Sequence, residues 1–532
     1  MIPPKPRAAV LWLLLGSAAL AQAPLTRAEQ TDFRETSRHA DVIAFLEAVV
    51  AGQDRMELSS LGRTGEEREI PLVIVAPPGL RDPARAHAAG RMVVYVQANI
   101  HAGEVDGKEA VLMWLREAAG GAHDALLAHL VLLVVPNFNA DGNEPISTRN
   151  RPHQDGPEGG VGQRANAGNL DLNRDAMKAE APETRAALAL GARWDPDLFL
   201  DLHTTNGSKH RYALTFSSSV HPNADRTVQD FADRVLLPEV FAALRPRYDT
   251  FYYGDFLDDR DPEKGWGTFA WEGRYATNYW GLRNRFSVLL ESYAYCDFRT
   301  RIDVTRRALS AVLAAAAKHR DRMRALVAAA DERLAAGEWK EMGVAFERTA
   351  WAGTWTVAGF EVTEESLGRR RPVAEDRPRD YECRLFLRFE PTASVPVPAG
   401  YLFGRGLGAV AEHLRRHGIR VYRLAHDGEL EVEACRLEKL HRQERLYQGR
   451  TLQHAEVAVN REVRTFRAGD HWVPLSQPLG RLAAELLEPR GRDGLLAWGF
   501  LDALLFEQWR GTPKEIPIYR TPAAVALPLW RR

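Results

Sequence analysis

The chain has 532 residues, 45% hydrophobic and 27% charged, and a formal net charge of -1 from 70 basic and 71 acidic side chains. That length exceeds what one core usually holds and predicts two or three domains. The balanced charge excludes the electrostatic footprint of a nucleic-acid binder or of a protein drawn to an anionic membrane surface.

Residues 1–23 read as an export signal: Lys5 and Arg7 form the charged start, Ala8 to Leu20 the apolar stretch, and Ala21 and Ala23 a small-residue cleavage site. The apolar run is shorter than the about 20 residues a membrane anchor needs. Cleavage after Ala23 would leave an exported protein, periplasmic or secreted, with no membrane span. Three cysteines, Cys296, Cys383 and Cys435, are too few for a disulfide-built scaffold. Cys383 and Cys435 could pair in an oxidising compartment, and three buried thiols are the alternative.

From Thr31 to Val50 the pattern predicts an amphipathic helix with Val42, Phe45, Leu46 and Val49 on one face. Residues 56–76 read as a hairpin turning near Gly65. Strand signals at 92–98, 130–136, 197–202 and 286–291 then alternate with helical ones at 108–118, 182–192 and 224–243. Such alternation predicts an α/β fold: a mixed central sheet flanked by helices, with sites at the carboxyl ends of strands. The alanine- and arginine-rich stretch from Thr305 to Ala336 closes this domain, 24–338, as a long helix or helix pair. Residues 339–532 alternate like strands around a single helix near 409–417, a smaller β-rich C-terminal domain of unknown role.

The chemistry starts at Ala98-Asn99-Ile100-His101-Ala102-Gly103-Glu104, where an apolar strand turns into a helix. An imidazole and a carboxylate three residues apart can reach one ion from the same side, and both are ordinary zinc ligands. His203 ends a second apolar strand, 197–202, at the same sheet edge. Two His and one Glu leave a fourth position for water or substrate, the pattern of a catalytic rather than a structural zinc site. The water needs a base, and Glu291 follows the apolar run Phe286 to Leu290, where burial would raise its pKa toward the useful range. The loop 162–175 adds Arg164, Asn173 and Arg174, groups able to hold a carboxylate or an oxyanion.

The set H-x-x-E, N-R, a later His and a distal Glu resembles the zinc carboxypeptidase (M14) family over roughly residues 50–320. The segment from Arg164 to Arg174 is similar to a loop of the carboxypeptidase E/N/D branch. The resemblance implies one zinc ion held by His101, Glu104 and His203, and a substrate C-terminal carboxylate held by Asn173 and Arg174. It also implies that Arg164 polarises the scissile carbonyl, with Arg149 and Arg151 as rivals, and that Glu291 activates the water. Asp171 would orient a zinc-bound histidine. The family's mobile tyrosine would fall near Phe269, with Tyr275, Tyr279 and the pair Tyr252 and Tyr253 as displaced candidates. The segment from Tyr275 to Gly281 would line the side-chain pocket; it holds no acidic residue that selects basic termini.

These features together imply an exported zinc metallocarboxypeptidase acting on peptides or muropeptides with a free C-terminal carboxylate. The alternatives are a peptidoglycan-directed amidase or D,L-carboxypeptidase, an N-acyl amino acid deacylase, and a non-catalytic binding protein of the same fold.

Overall fold

The computed structural model describes residues 23–205, 209–506 and 515–531. The export signal lies outside them, apart from Ala23. Among the described residues no helix is long and apolar enough to cross a membrane.

Eight strands make one mixed sheet: β1 (Met56–Arg63), β2 (Glu69–Val75), β3 (Met92–Ala98), β4 (Leu130–Val135), β5 (Leu198–Thr205), β6 (Leu214–Ser218), β7 (Thr250–Tyr252) and β8 (Phe286–Tyr293). Their order is β1-β2-β4-β3-β5-β8-β6-β7. The four central strands, β4, β3, β5 and β8, run parallel. Every residue in them is buried. They read as near-continuous apolar runs because helices cover both faces, so neither side needs a polar alternation.

The covering helices are α1 (His39–Val50), α2 (Asp106–Ala119), α3 (Pro182–Trp194), α4 (Ala276–Leu282) and α5 (Phe298–Ala335). Helices α1, α2 and α5 pack on one face, where Phe45, Val111 and Val312 meet Val94, Val96 and Leu200. Helix α1 buries the four residues its periodicity singled out, Val42, Phe45, Leu46 and Val49. Helices α3 and α4 cover the other face, with Trp194, Tyr279 and Trp280 against Tyr95 and Phe199. The helix expected over 224–243 is three pieces, with a π-helical stretch at Ala232–Leu236 between two α-helical ones.

After residue 338 a seven-stranded sheet dominates, and its longest pair is the antiparallel hairpin β9 (Gly428–Arg442) and β10 (Gln453–Phe466). The expectation of a single helix here is corrected. Besides α6 (Gly408–Arg416) there is α7 (Gly480–Leu487), buried at every position, its polar pair Arg481 and Glu485 included. Tyr401, Leu414 and Leu482 of this half belong to the same apolar cluster as Tyr95 and Trp280 of the first. A short strand, Leu385–Phe386, also pairs with Trp266–Gly267. The two halves therefore share one core across the α3–α4 face. The three cysteines are free.

Candidate active site

At the end of β3 the chain takes a left-handed step at Asn99 (φ 65). That conformation is costly for most side chains, and Asn is among the few that adopt it. Its amide Nδ2 donates to Asn137 Oδ1 at 2.7 Å and Asn143 Oδ1 at 3.2 Å, which holds the turn. The next turn is closed by Glu104 N–H donating to the His101 carbonyl at 2.9 Å. His101 and Glu104 thus emerge together over the sheet edge. Gly103 between them has no room for a side chain: a Cβ would stand 2.7 Å from Arg151 Cδ.

His203 and Glu291 arrive from neighbouring parallel strands, and they are register partners, so both side chains leave the same face at the same height. One ligand atom each of His101, Glu104 and His203 lies within 4.8 Å of the others, and all three residues are buried. His101 Nδ1 is 3.1 Å from Glu104 Oε1, and His203 Nδ1 is 2.9 Å from Glu104 Oε2. Ligands about 2.1 Å from one tetrahedral ion stand roughly 3.4 Å apart, so the set fits a zinc ion with little rearrangement.

The outward ring nitrogens make the same case. His101 Nε2 lies 2.9 Å from Asp171 Oδ1, and His203 Nε2 lies 3.0 Å from Asp201 Oδ2. Asp171 accepts the His101 Nε2–H and leaves that ring's Nδ1 lone pair facing the common centre, while Asp201 places its charge behind the His203 ring without hydrogen-bond alignment. Asp171 is held in turn, because its Oδ1 also accepts the Asn173 N–H at 2.9 Å as the cap of a short 3-10 turn.

The charges are strongly perturbed. Burial pushes the Glu104 carboxyl upward, but His101, Arg151 and His203 overcome it and hold the group well below the usual carboxylate range. Burial likewise opposes ionisation of Asp171, and His101, Arg164 and Arg174 hold it low. His203 is raised well above the ordinary imidazole value: burial acts against it, and Asp201 and Glu104 outweigh the burial. Glu291 goes the other way. Burial lifts it to about 8; the charge of His203 opposes this and that of Glu104 adds to it.

Two arginines reach this cluster. Arg151 is largely buried, with Nη1 donating to Glu104 Oε1 at 2.9 Å, Nη2 to the Thr204 carbonyl at 2.7 Å and Nε to Gln154 Oε1 at 2.7 Å. Arg164 donates Nε to Asp171 Oδ2 at 2.8 Å and stands 3.6 Å from Glu104, with 46% of its side chain exposed. Only Arg164 of the two combines contact with the cluster and open access to a substrate. Arg149 is exposed on its loop.

Asn173 Oδ1 accepts the Ala276 N–H at 2.8 Å, which leaves its amide hydrogens for another acceptor. Arg174 lies with its guanidinium 4.2 Å above the Tyr275 ring, and Nη1 donates to the Asn173 carbonyl at 2.7 Å. Of the displaced tyrosine candidates, Tyr253 has its phenol raised by burial first and then by the charges of Glu291, Asp255 and Glu104. Rings at 6.0 and 5.7 Å connect Tyr253 to Phe269 and Phe269 to Tyr275, an aromatic wall that ends under Arg174.

The sequence reading left out Asp201, although it sits two residues before His203 on one strand and so on the same face. It also left out Tyr447 and Gln448 of the C-terminal half, which contact Arg174 and Asp171. No local signal in either segment announces that meeting.

No curated protein matches the chain. Among solved structures it is similar to a metallo-carboxypeptidase from Burkholderia cenocepacia, at 21% identity and a TM-score of 0.40, over 53% of this chain and 69% of that one. A Pseudomonas aeruginosa metallo-carboxypeptidase in complex with (2-guanidinoethylmercapto)succinic acid is 19% identical, TM-score 0.39, over 54% and 70%. Carboxypeptidase A from Helicoverpa armigera is 16% identical, TM-score 0.38, over 54% and 75%. Residues 42–235 match the family model described as zinc carboxypeptidase, a span that includes His101, Glu104, Asp171, Asn173, Arg174 and His203 and stops short of Glu291. Residues 42–235 thus carry the match to the zinc carboxypeptidase family.

Proposed function

We propose that the protein is an exported metallocarboxypeptidase that hydrolyses the last peptide bond of substrates with a free C-terminal carboxylate. The observation that carries this reading is the combination, in one buried cluster, of the His101–Glu104–His203 set with the register-paired Glu291 and the loop bearing Asn173 and Arg174. A zinc ion held by the three ligands would polarise the scissile carbonyl and acidify water. Glu291, lifted by burial, would take a proton from the attacking water and return it to the leaving amine. Arg164, exposed and held by Asp171, would meet the developing negative charge on the carbonyl oxygen. Asn173 and Arg174 would fix the terminal carboxylate, and Asp171 and Asp201 would orient the two imidazoles. Export rests on the pattern from Lys5 to Ala23 alone.

The test pairs metal analysis with digestion of one peptide as the free acid and as the C-terminal amide. One zinc per chain and cleavage confined to the free acid are expected. Equal cleavage of the amide would sink the carboxypeptidase reading. Muropeptides with a free carboxylate present the same group and belong in the same digestion series.

A further inference from the structure

The hydroxyl group beside Arg174 comes from the other half of the chain. Between β9 and β10, Tyr447 and Arg450 exchange two main-chain hydrogen bonds of 2.7 and 3.1 Å around Gln448 and Gly449. Both turn residues have positive φ, 52 and 75, the geometry of a two-residue type I′ turn. Glycine is at home there, and glutamine is not. Gln448 is held by the loop it touches: its Oε1 accepts the Asp171 N–H at 2.7 Å, and its carbonyl accepts from Lys178 Nζ at 3.1 Å. Arg450 Nε donates to Glu180 Oε1 at 2.9 Å and anchors the tip from outside.

This docking sets Tyr447 Oη 3.1 Å from Arg174 Nε, which donates to it. The Arg174 guanidinium is then fixed on three sides: by the Tyr275 ring below, the Asn173 carbonyl and the Tyr447 hydroxyl. The Tyr447 ring is itself stacked on Trp498 at 6.0 Å. Tyr275 and Tyr447 also share the wall of a cavity of about 610 Å³ that opens between the two halves. A free arginine samples many rotamers and loses them on binding; one fixed beforehand loses few. Because the hydroxyl oxygen accepts from Arg174, its own proton is left to donate toward the same ligand.

We propose that Tyr447, carried by the C-terminal hairpin, is a positioning residue for recognition of the substrate carboxylate. It holds Arg174 in its binding geometry, so the carboxylate clamp is built by both halves of the chain. The inference rests on the carboxypeptidase reading. It also gives residues 339–532 a task at the site.

The test is made on the zinc-loaded protein carrying Glu291→Gln, so that bound peptide is not turned over. Calorimetry measures the binding of one peptide as free acid and as amide. Before Tyr447 is altered, the free acid should bind more tightly. Adding Tyr447→Phe, which removes one oxygen, should cut that preference about tenfold by weakening the acid alone. Glu180→Gln, which loosens Arg450 and Lys178 at the hairpin tip and leaves every clamp atom in place, should cut it in the same direction by less. Absence of any preference before Tyr447 is altered overturns the carboxypeptidase reading and this inference with it. A preference that survives Tyr447→Phe overturns the inference alone. Equal weakening of acid and amide would assign the hydroxyl to the fold, and overturns it as well.

Discussion

Two pairs of buried imidazoles lie in this protein at nearly the same ring separation, 5.0 Å for His101 and His203 and 4.8 Å for His413 and His417. All four are at most 4% exposed. Their surroundings differ in one respect that decides everything else. The first pair has Glu104 between the rings and an aspartate behind each. The second meets the Met177 carbonyl, the Tyr279 hydroxyl and the other imidazole, with Arg283 donating to the His417 carbonyl. Burial dominates there and lowers His413 to about 4 and His417 well below its ordinary value. Carboxylates make the first pair a candidate cation site, and a shell with no carboxylate in contact makes the second a packed joint between α6 and the first half. Proximity of histidines alone says little.

That contrast can be broken or sharpened by measurement. The largest effect belongs to Glu291, for which the second pair has no counterpart. Glu291→Gln should lower kcat by about 10²–10⁴-fold. Zinc content should stay at one ion; a loss below tenfold would mean that another group serves as base. Next come the aspartates behind the ligands. Asp201→Asn and Asp171→Asn should each weaken zinc binding about 10–100-fold in competition with a chelator. The matching change in the other pair, His413→Gln, should leave zinc affinity where it was, and any fall there would dissolve the distinction drawn between the two sites.

The smallest effect concerns pH and stability. A histidine held neutral by burial has a folded-state pKa below its unfolded value, so the unfolded chain binds more protons in the window between the two. His413 therefore contributes stability that is present above about pH 6.5 and lost as pH falls toward about 4. The slope is at most about 1.4 kcal/mol per pH unit for one such group. Thermal melts between pH 7.5 and 4.5 should decline less steeply in His413→Gln than in the parent protein. Parallel declines would show that the imidazole is already charged in the fold.

Much of the site was legible because strand ends are legible. Met92 to Ala98 and Leu198 to Leu202 are apolar at every buried position that a two-faced sheet requires, apart from Gln97 and Asp201. A polar residue just past such a run, like His101 or His203, therefore stands out. The same rule could have found Asp201, whose period-two relation to His203 puts it behind the ligand. The choice between Arg151 and Arg164 was not open to that kind of reading. Both sit in irregular loop, where spacing carries no direction, and what separates them is that one side chain is 16% exposed and the other 46%. Helix α7 escaped for a different reason: its polar pair, Arg481 and Glu485, is buried against Asn223 and Asp225 of the first half, contacts that no local pattern announces.

What the sequence determined by itself was the α/β core, the three-ligand set and the glutamate that follows a buried strand. Each depends on alternation and apolar runs that short stretches of chain express alone. What only the tertiary structure decided was which arginine lies open to solvent, which carboxylates stand behind the imidazoles, and that Tyr447 meets Arg174. Those are contacts between segments up to 273 residues apart. They are set by a shared core on the α3–α4 face, and no local pattern encodes where that core will bring a hairpin tip.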